Sequence, residues 1–393
     1  MSVRKRKWKT TKGEEREAWV VDYVDQDDER HIETFEKKGD AIARHSMVNV
    51  RVADGVHVAP SKSKTIREAG KSWIEFAKQG DADTDPLERS TIAQYEQHLR
   101  LHIEPLIGAM KLSDLTVSAV RAFGEALREK GVSIAMRRKI LTSLGTLIAD
   151  AQSRSWCAHN AVRDLSKRRR VKRSRQSKKR HEGKLEVGVH IPTPEEARMI
   201  VAYAKGRWRP LLITAIFTGL RASELRGLRW KDVDFKKNEL HVRQRADRFY
   251  EIGKPKSLAG VRVVPFGPFV ANTLKEWKLA CPKGDLDLVF PNSTGKIEAH
   301  SIIINRGLIP AQIEAGLMVD GKAKYTGLHA LRHFYASWCI NRVEDGGLGL
   351  PPKVVQTRLG HSSITMTMDT YGHLFPRGDD TKELAAAERA LLA

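Results

Sequence analysis

Cysteine is scarce in this sequence: Cys157, Cys281 and Cys339 are the only three in 393 residues. Their spacing fits neither a disulfide framework nor a metal-ligand cluster, so they read as ordinary thiols of a reducing compartment. Long apolar runs are missing too. None reaches the roughly 18 residues that a membrane helix needs. The basic start, Met1 to Trp8, has no apolar segment behind it, which argues against a secretory signal. Acidic residues are in deficit. Only 48 Asp and Glu stand against 69 Lys and Arg, a formal charge of +21. Such an excess points to a polyanionic partner, and nucleic acid is the commonest.

What is present is unevenly placed. Between Lys167 and Lys184, 11 of 18 residues are basic and only Glu182 is acidic. The run includes Lys167, Arg168, Arg169, Arg170, Lys172, Arg173, Arg175, Lys178, Lys179 and Arg180. A block this dense repels itself and stays extended until phosphates neutralise it, so these ten side chains are candidate DNA contacts. A solvated connector is the alternative. The length suffices for two or three domains, each with its own core.

The punctuation suggests where they lie. Residues 1–60 carry two or three short strands (Trp19–Val24 and Arg30–Phe35 around Asp25-Gln-Asp-Asp28) and one helix, Asp40–Val50. Residues 64–165 have helical periodicity, with Ile66, Ala69, Trp73, Ile74 and Ala77 on one face. Trp73, Phe76, Tyr95 and Phe123 read as core of a bundle rather than as base-stacking platforms. Residues 166–189 form the basic linker, across which two globular parts could close around a duplex. At its end Thr193, Pro194 and Glu196 spell a capped helix start. A mixed region spans 190–380, with helices near 194–205, 209–218, 268–280, 299–315, 328–341 and 351–359. Strands are expected at Glu239–Arg243 and Arg262–Pro265, with Lys254–Gly260 as the hairpin turn between them. A short Ala/Leu helix closes the chain at 381–393. The fold class is therefore multidomain, mainly α with small β elements: a β-β-(β)-α module, a helical bundle and a mixed α+β domain.

Within 190–380 lie residues suited to cleaving a phosphodiester without metal or water. That chemistry needs a nucleophile, cations to hold the charge on phosphorus, and an acid for the leaving oxygen. Tyr371, near the end of His361-Ser-Ser-Ile-Thr-Met-Thr-Met-Asp-Thr-Tyr371, is the candidate nucleophile. Arg221 (in Thr218-Gly-Leu-Arg-Ala-Ser-Glu-Leu225) and Arg332 (in His329-Ala-Leu-Arg-His333) can grip two phosphate oxygens, because a guanidinium is a planar fork that never deprotonates. Glu224, three residues after Arg221, can orient it. His329 shares a helix face with Arg332, and His333 and His361 add polar donors. Three histidines also raise a zinc reading. It is disfavoured because no Glu stands between them as a base and Arg332 would sit beside the metal. Lys256 on the turn is the candidate acid, where surrounding cations would favour release of its proton, although its own setting is equally that of a solvent-exposed turn lysine; Lys254 is the fallback.

In this order the motifs resemble those of the tyrosine recombinases, the phage-type integrases. The likeness spans about residues 190–375, and Pro255-Lys-Ser-Leu-Ala-Gly-Val-Arg-Val-Val-Pro265 is similar to the family's β-hairpin lysine segment. The resemblance implies that residues 1–60 are an arm-type DNA-binding module, 64–165 a core-binding domain and 190–380 the catalytic domain. It implies that Tyr371 forms a 3′-phosphotyrosine with DNA, that Arg221 and Arg332 bind the scissile phosphate assisted by His329 and His361, and that Lys256 protonates the 5′ oxygen. Neither metal nor other cofactor is implied. The partners would be double-stranded DNA carrying recombination sites, further copies of the chain in a homotetramer, a DNA-bending host factor and an excisionase, in the cytoplasm and nucleoid of a bacterial host. The segment Asn341–Leu350 is longer than the family pattern and reads as a surface insertion, and position 258 lacks the basic residue that often follows the lysine. A type IB topoisomerase that only relaxes DNA, and a DNA-binding protein that has lost catalysis, remain the rival readings.

Overall fold

The computed structural model describes residues 2–9, 15–26, 28–53, 57–59, 62–81, 84–166, 184–376 and 381–393. The ten candidate phosphate contacts between Lys167 and Arg180 lie outside them. The chain divides into two compact units, Met1–Arg180 and His181–Ala393. No described helix is long and apolar enough to cross a membrane.

The first unit opens with an antiparallel meander, β1 (Ser2–Lys9), β2 (Glu15–Val24) and β3 (Arg30–Phe35). Helix α1 (Lys38–Ala53) covers it through a small core of Val21, Tyr23, Ala41 and Val48. Next comes α2 (Ile66–Gln79), which starts where Thr65 and Glu68 cap each other reciprocally. Its buried face is the Ile66, Ala69, Trp73, Ile74, Ala77 stripe read from the sequence. Helix α3 (Arg89–His98) runs on through a π turn, Leu99–Ile103, and α4 (Val117–Glu129) and α5 (Ile134–Ser153) complete the bundle. Trp73 and Phe123 are buried here, and Tyr95 stacks on Trp73 at 4.4 Å between ring centroids. They serve the core.

In the second unit α6 (Pro194–Tyr203) begins at the Thr193–Glu196 capping box. Helix α7 (Trp208–Thr218) is buried along most of its length and stops at Gly219, whose φ of 60° is left-handed. Helix α8 (Ala222–Gly227) follows, with Arg221 at its N-cap. A three-stranded antiparallel sheet joins β4 (Val233–Asp234), β5 (Glu239–Val242) and β8 (Arg262–Pro265), and β6 (Arg245–Ala246) and β7 (Ile252–Gly253) pair separately. The turn placement therefore needs correcting. The chain reverses at 247–251, not at 254–260, because the Asp247 carboxylate accepts the Phe249 and Glu251 N–H groups at 2.7 and 3.0 Å. Lys256 lies on the return run, just before a 3₁₀ turn at Leu258–Gly260.

Helix α9 (Pro268–Ala280) and a helical stretch over residues 300–314, interrupted by a π turn at Ile303–Leu308, pack on α7. Then α10 (His329–Ile340), α11 (Pro352–Leu359) and α12 (Ile364–Tyr371) follow. Residues 341–350 between α10 and α11 fold back onto α10, where the Leu348 and Leu350 N–H groups donate to the Trp338 and Cys339 carbonyls at 2.9 and 2.8 Å. The chain ends in α13 (Thr381–Leu392).

Candidate active site

Two left-handed glycines create the site. Gly219 ends α7 and Gly360 ends α11, with φ of 60° and 65°. A side chain at Gly219 would put its Cβ 2.3 Å from Tyr335 Cδ1, so the turn must be glycine for space as well as for φ. Both turns aim main-chain carbonyls at arginines. Arg332, on α10 and 2% exposed, donates to the Gly219 carbonyl at 2.7 Å and to the Leu359 carbonyl at 2.6 Å. Arg221 donates to the Gly360 carbonyl at 3.0 Å and to Glu224 at 2.9 Å, while its backbone N–H donates to the other Glu224 oxygen at 2.8 Å. Each guanidinium has more N–H donors than these contacts use, so capacity remains for an anion.

Glu224 is the hinge of the arrangement. Burial would raise its carboxyl, but the hydrogen bonds and charge of Arg262, with Arg221 beside them, hold it down to about 2. Arg332 is lowered to about 10 by burial and by the Arg221 charge, which still leaves it cationic at neutral pH.

Tyr371, the last residue of α12, is 2% exposed. Burial pushes its phenol up to about 12, against the opposing pull of Arg332 and Arg221. Its hydroxyl lies 2.7 Å from His333 Nδ1, and its ring runs parallel to that of His361 at 6.3 Å. His333 in turn meets His329 edge to face at 4.5 Å. Burial first, then neighbouring charged groups, lowers His333 and His361 to about 4, so both rings are neutral at pH 7. His329, although exposed, is also lowered by the protein packed around it and by Arg332 and Arg221. His361 Nδ1 is fixed by Thr367 Oγ1 at 2.9 Å. The ring nitrogens of His329, His333 and His361 do not converge as metal ligands. Among the described residues only Asp25, Glu29 and His31 do, and there Lys62 already pairs with Glu29 at 2.6 Å.

Arg221, His329, Arg332, His333, His361 and Tyr371 thus form one cluster. Lys256 is not part of it: the side chain is exposed on the return run of the hairpin. His333, which the spacing suggested only as a supporting residue, is the direct partner of the tyrosine hydroxyl. Arg262 escaped the sequence reading altogether. It is 7% exposed and grips Glu224 with both Nη atoms at 3.0 and 2.8 Å.

The scaffold around this cluster is that of DNA integrases. It superposes on the Tn1549 transposon integrase in complex with a circular intermediate DNA with a TM-score of 0.62 at 21% identity, covering 84% of this chain and 100% of that one. A lambda integrase dimer bound to a COC′ core site superposes with a TM-score of 0.53 at 15% identity, covering 95% of each. Residues 191–377 match the phage integrase family, and residues 84–127 match the N-terminal SAM-like domain of phage integrases. The chain belongs to the phage integrase family, the tyrosine recombinases. Among its relatives are a XerC-like tyrosine recombinase of Caldanaerobacter subterraneus subsp. tengcongensis, 27% identical over 322 residues (73% of this chain, 75% of the relative), and the ICEBs1 integrase of Bacillus subtilis, 24% identical over 292 residues (72% and 73%).

Proposed function

We propose that this protein is the site-specific recombinase of a phage or other mobile element, cutting and rejoining DNA through a 3′-phosphotyrosine bond. The observation that carries the reading is the cluster itself: a buried tyrosine beside two arginines whose orientation is fixed by main-chain carbonyls. In the forward step the Tyr371 oxygen bonds to phosphorus and the bond from phosphorus to the 5′ oxygen breaks. Arg221 and Arg332 hold the non-bridging oxygens, with His329 and His361 donating beside them, and stabilise the added charge. His333, neutral and 2.7 Å from the hydroxyl, takes the phenolic proton on Nδ1 in its Nε2-protonated tautomer. Lys256 swings in with the DNA and protonates the departing 5′ oxygen. Rejoining is the reverse, so neither ATP nor a metal is consumed.

Relatives named as integrases of ICEBs1 and of Tn1549 favour a mobile element over a housekeeping role. A lambda integrase tetramer has been solved on a Holliday junction, and four copies of this chain on two DNA sites fit the same scheme. We assign residues 1–60 to arm-type DNA binding, 64–165 to core-site binding, 190–380 to catalysis and the Lys167–Arg180 run to phosphate contacts. A DNA-bending host protein and an excisionase belong to the same scheme, which operates on the bacterial nucleoid.

The test is to incubate purified protein with DNA from both ends of its element and map covalent protein–DNA junctions. Adducts on the 3′ phosphate that vanish with Tyr371→Phe and are followed by exchange between two sites support the proposal. Adducts with relaxation but no exchange would favour the topoisomerase reading. Adducts that survive in Tyr371→Phe would refute the nucleophile.

A further inference from the structure

The cluster holds its arginines rigidly but leaves Lys256 outside. Something must bring the lysine loop into register with the clamp. The structure offers one side chain that touches every part involved. Arg262 begins β8, directly after the loop. Its Nη1 and Nη2 reach the two Glu224 oxygens at 3.0 and 2.8 Å, and Glu224 in turn holds Arg221. The same Nη1 donates to the Gly260 carbonyl at 3.0 Å. Its Nε donates to the Arg358 carbonyl at 2.7 Å, in the last turn of the helix that presents Leu359 and Gly360 to the clamp.

The contact with Gly260 bears directly on the lysine. A Cβ added at Gly260 would fall 2.5 Å from the Pro255 Cβ, so Gly260 is packed against the residue that precedes Lys256. Gly360 is equally close from the other side: a Cβ there would sit 2.9 Å from both the Ala259 carbonyl oxygen and Arg262 Nη1. The base of the lysine loop, the Arg221–Glu224 turn and the end of α11 therefore converge on one buried guanidinium.

We propose that Arg262 is a positioning residue for catalysis: it locks the base of the Lys256 loop to the phosphate clamp, so the acid arrives at the oxygen opposite the tyrosine. Arg262 touches no DNA in this role. It acts through Gly260 and Pro255 on Lys256. The planar fork is essential, since four acceptor oxygens on three groups must be held at once, which an ammonium does not do with the same geometry.

This rests on Lys256 being the general acid, and the test separates the two claims. Single-turnover cleavage is measured on a full-length protein with two DNA substrates, one natural and one with sulfur in place of the bridging 5′ oxygen at the scissile phosphate. A thiolate leaves without being protonated, so the sulfur substrate needs no acid. Arg262→Lys keeps a positive charge beside Glu224 but loses the fork. Gly260→Ala disturbs the same loop contact and leaves the ion pair intact, so it carries the test should Arg262→Lys fold poorly. Both variants should cut the natural substrate at least about tenfold more slowly and recover to within about threefold of the unmodified protein on sulfur. Lys256→Ala should show the same signature. Equal losses on both substrates, or no loss on either, for Arg262→Lys and Gly260→Ala would overturn the positioning role. If Lys256→Ala is not rescued by sulfur but Arg262→Lys is, the acid is another residue of the loop and Arg262 keeps its role. Rescue of neither overturns both.

Discussion

Arg332 and Lys256 serve the same proposed reaction under opposite conditions. Arg332 is 2% exposed, bonded to two carbonyls and fixed on a helix, so its charge is placed before any DNA arrives. Lys256 is exposed on an irregular run between β7 and the 3₁₀ turn at Leu258–Gly260. The clamp is preorganised, which is where electrostatic catalysis gains most, because nothing needs to reorient as charge develops. The proposed acid belongs to a loop whose base is tied to the clamp through Arg262 and Gly260. The contrast divides the proposed site into a buried half held by hydrogen bonds and an exposed proposed donor. The rigid half then also contributes to the fold, and the donor does not.

Four measurements would break or sharpen that contrast. The largest effect is expected for Tyr371→Phe, which removes the proposed nucleophile from the rigid half. Covalent adducts on a trapped-product DNA should fall by on the order of 10³-fold or more, while the melting temperature changes little, since one hydrogen bond to His333 contributes about 1 kcal/mol. Arg332→Ala should reduce the cleavage rate about 10²- to 10³-fold and also destabilise the protein by about 2–4 kcal/mol. It strands the Gly219 and Leu359 carbonyls in a buried site. Denaturant melts read alongside adduct rates reveal both losses together. Lys256→Ala should cost about 10²-fold in cleavage of natural DNA but less than about 0.5 kcal/mol in stability. A stability loss matching that of Arg332→Ala would end that division.

The smallest effect concerns pH. His333 and His361 fall from an ordinary 6.5 to about 4 on folding, so between those values the unfolded chain binds more protons than the folded one. Stability is therefore full above about 6.5 and declines as pH drops towards 4. Glu224, lowered from 4.5 to about 2, extends the decline below pH 4.5, because its stabilising contribution is lost as the carboxylate is protonated. His361→Gln should flatten the slope of melting temperature against pH between 6.5 and 4 and leave the slope below 4.5 unchanged.

Legibility in the sequence followed the same division. Arg221, Arg332, His361 and Tyr371 stood in compact motifs whose residue types imply their chemistry, and the helical stripe of α2 came from apolar spacing. The first strand did not: Ser2–Lys9 alternates one cation with another, so no apolar face announced it, and its pairing with β2 supplies what its pattern lacks. The π turns at Leu99–Ile103 and Ile303–Leu308 were likewise invisible, because one extra residue in a turn does not alter composition. Arg262 did carry a signal that went unread. It occupies the buried phase of β8, the face it shares with Val264, and an arginine on the apolar phase of a strand demands a buried partner. The tip of the hairpin was misplaced because Lys254–Gly260 looks like a turn by composition, whereas the Asp247 side chain makes the real one.

The acceptors on Arg332 are carbonyls, and one of those on Arg221 is as well. Carbonyls are common to every amino acid, so no change of codon at Gly219, Leu359 or Gly360 removes them. A library built to alter which DNA this recombinase accepts can therefore vary side chains around both turns, provided the two glycines are kept, without unmooring the charges proposed to grip the phosphate. Weakening the grip in small steps calls for editing the main chain itself. Exchanging one amide for an ester beside Leu359 would lower the acceptor strength of its carbonyl and leave every side chain in place.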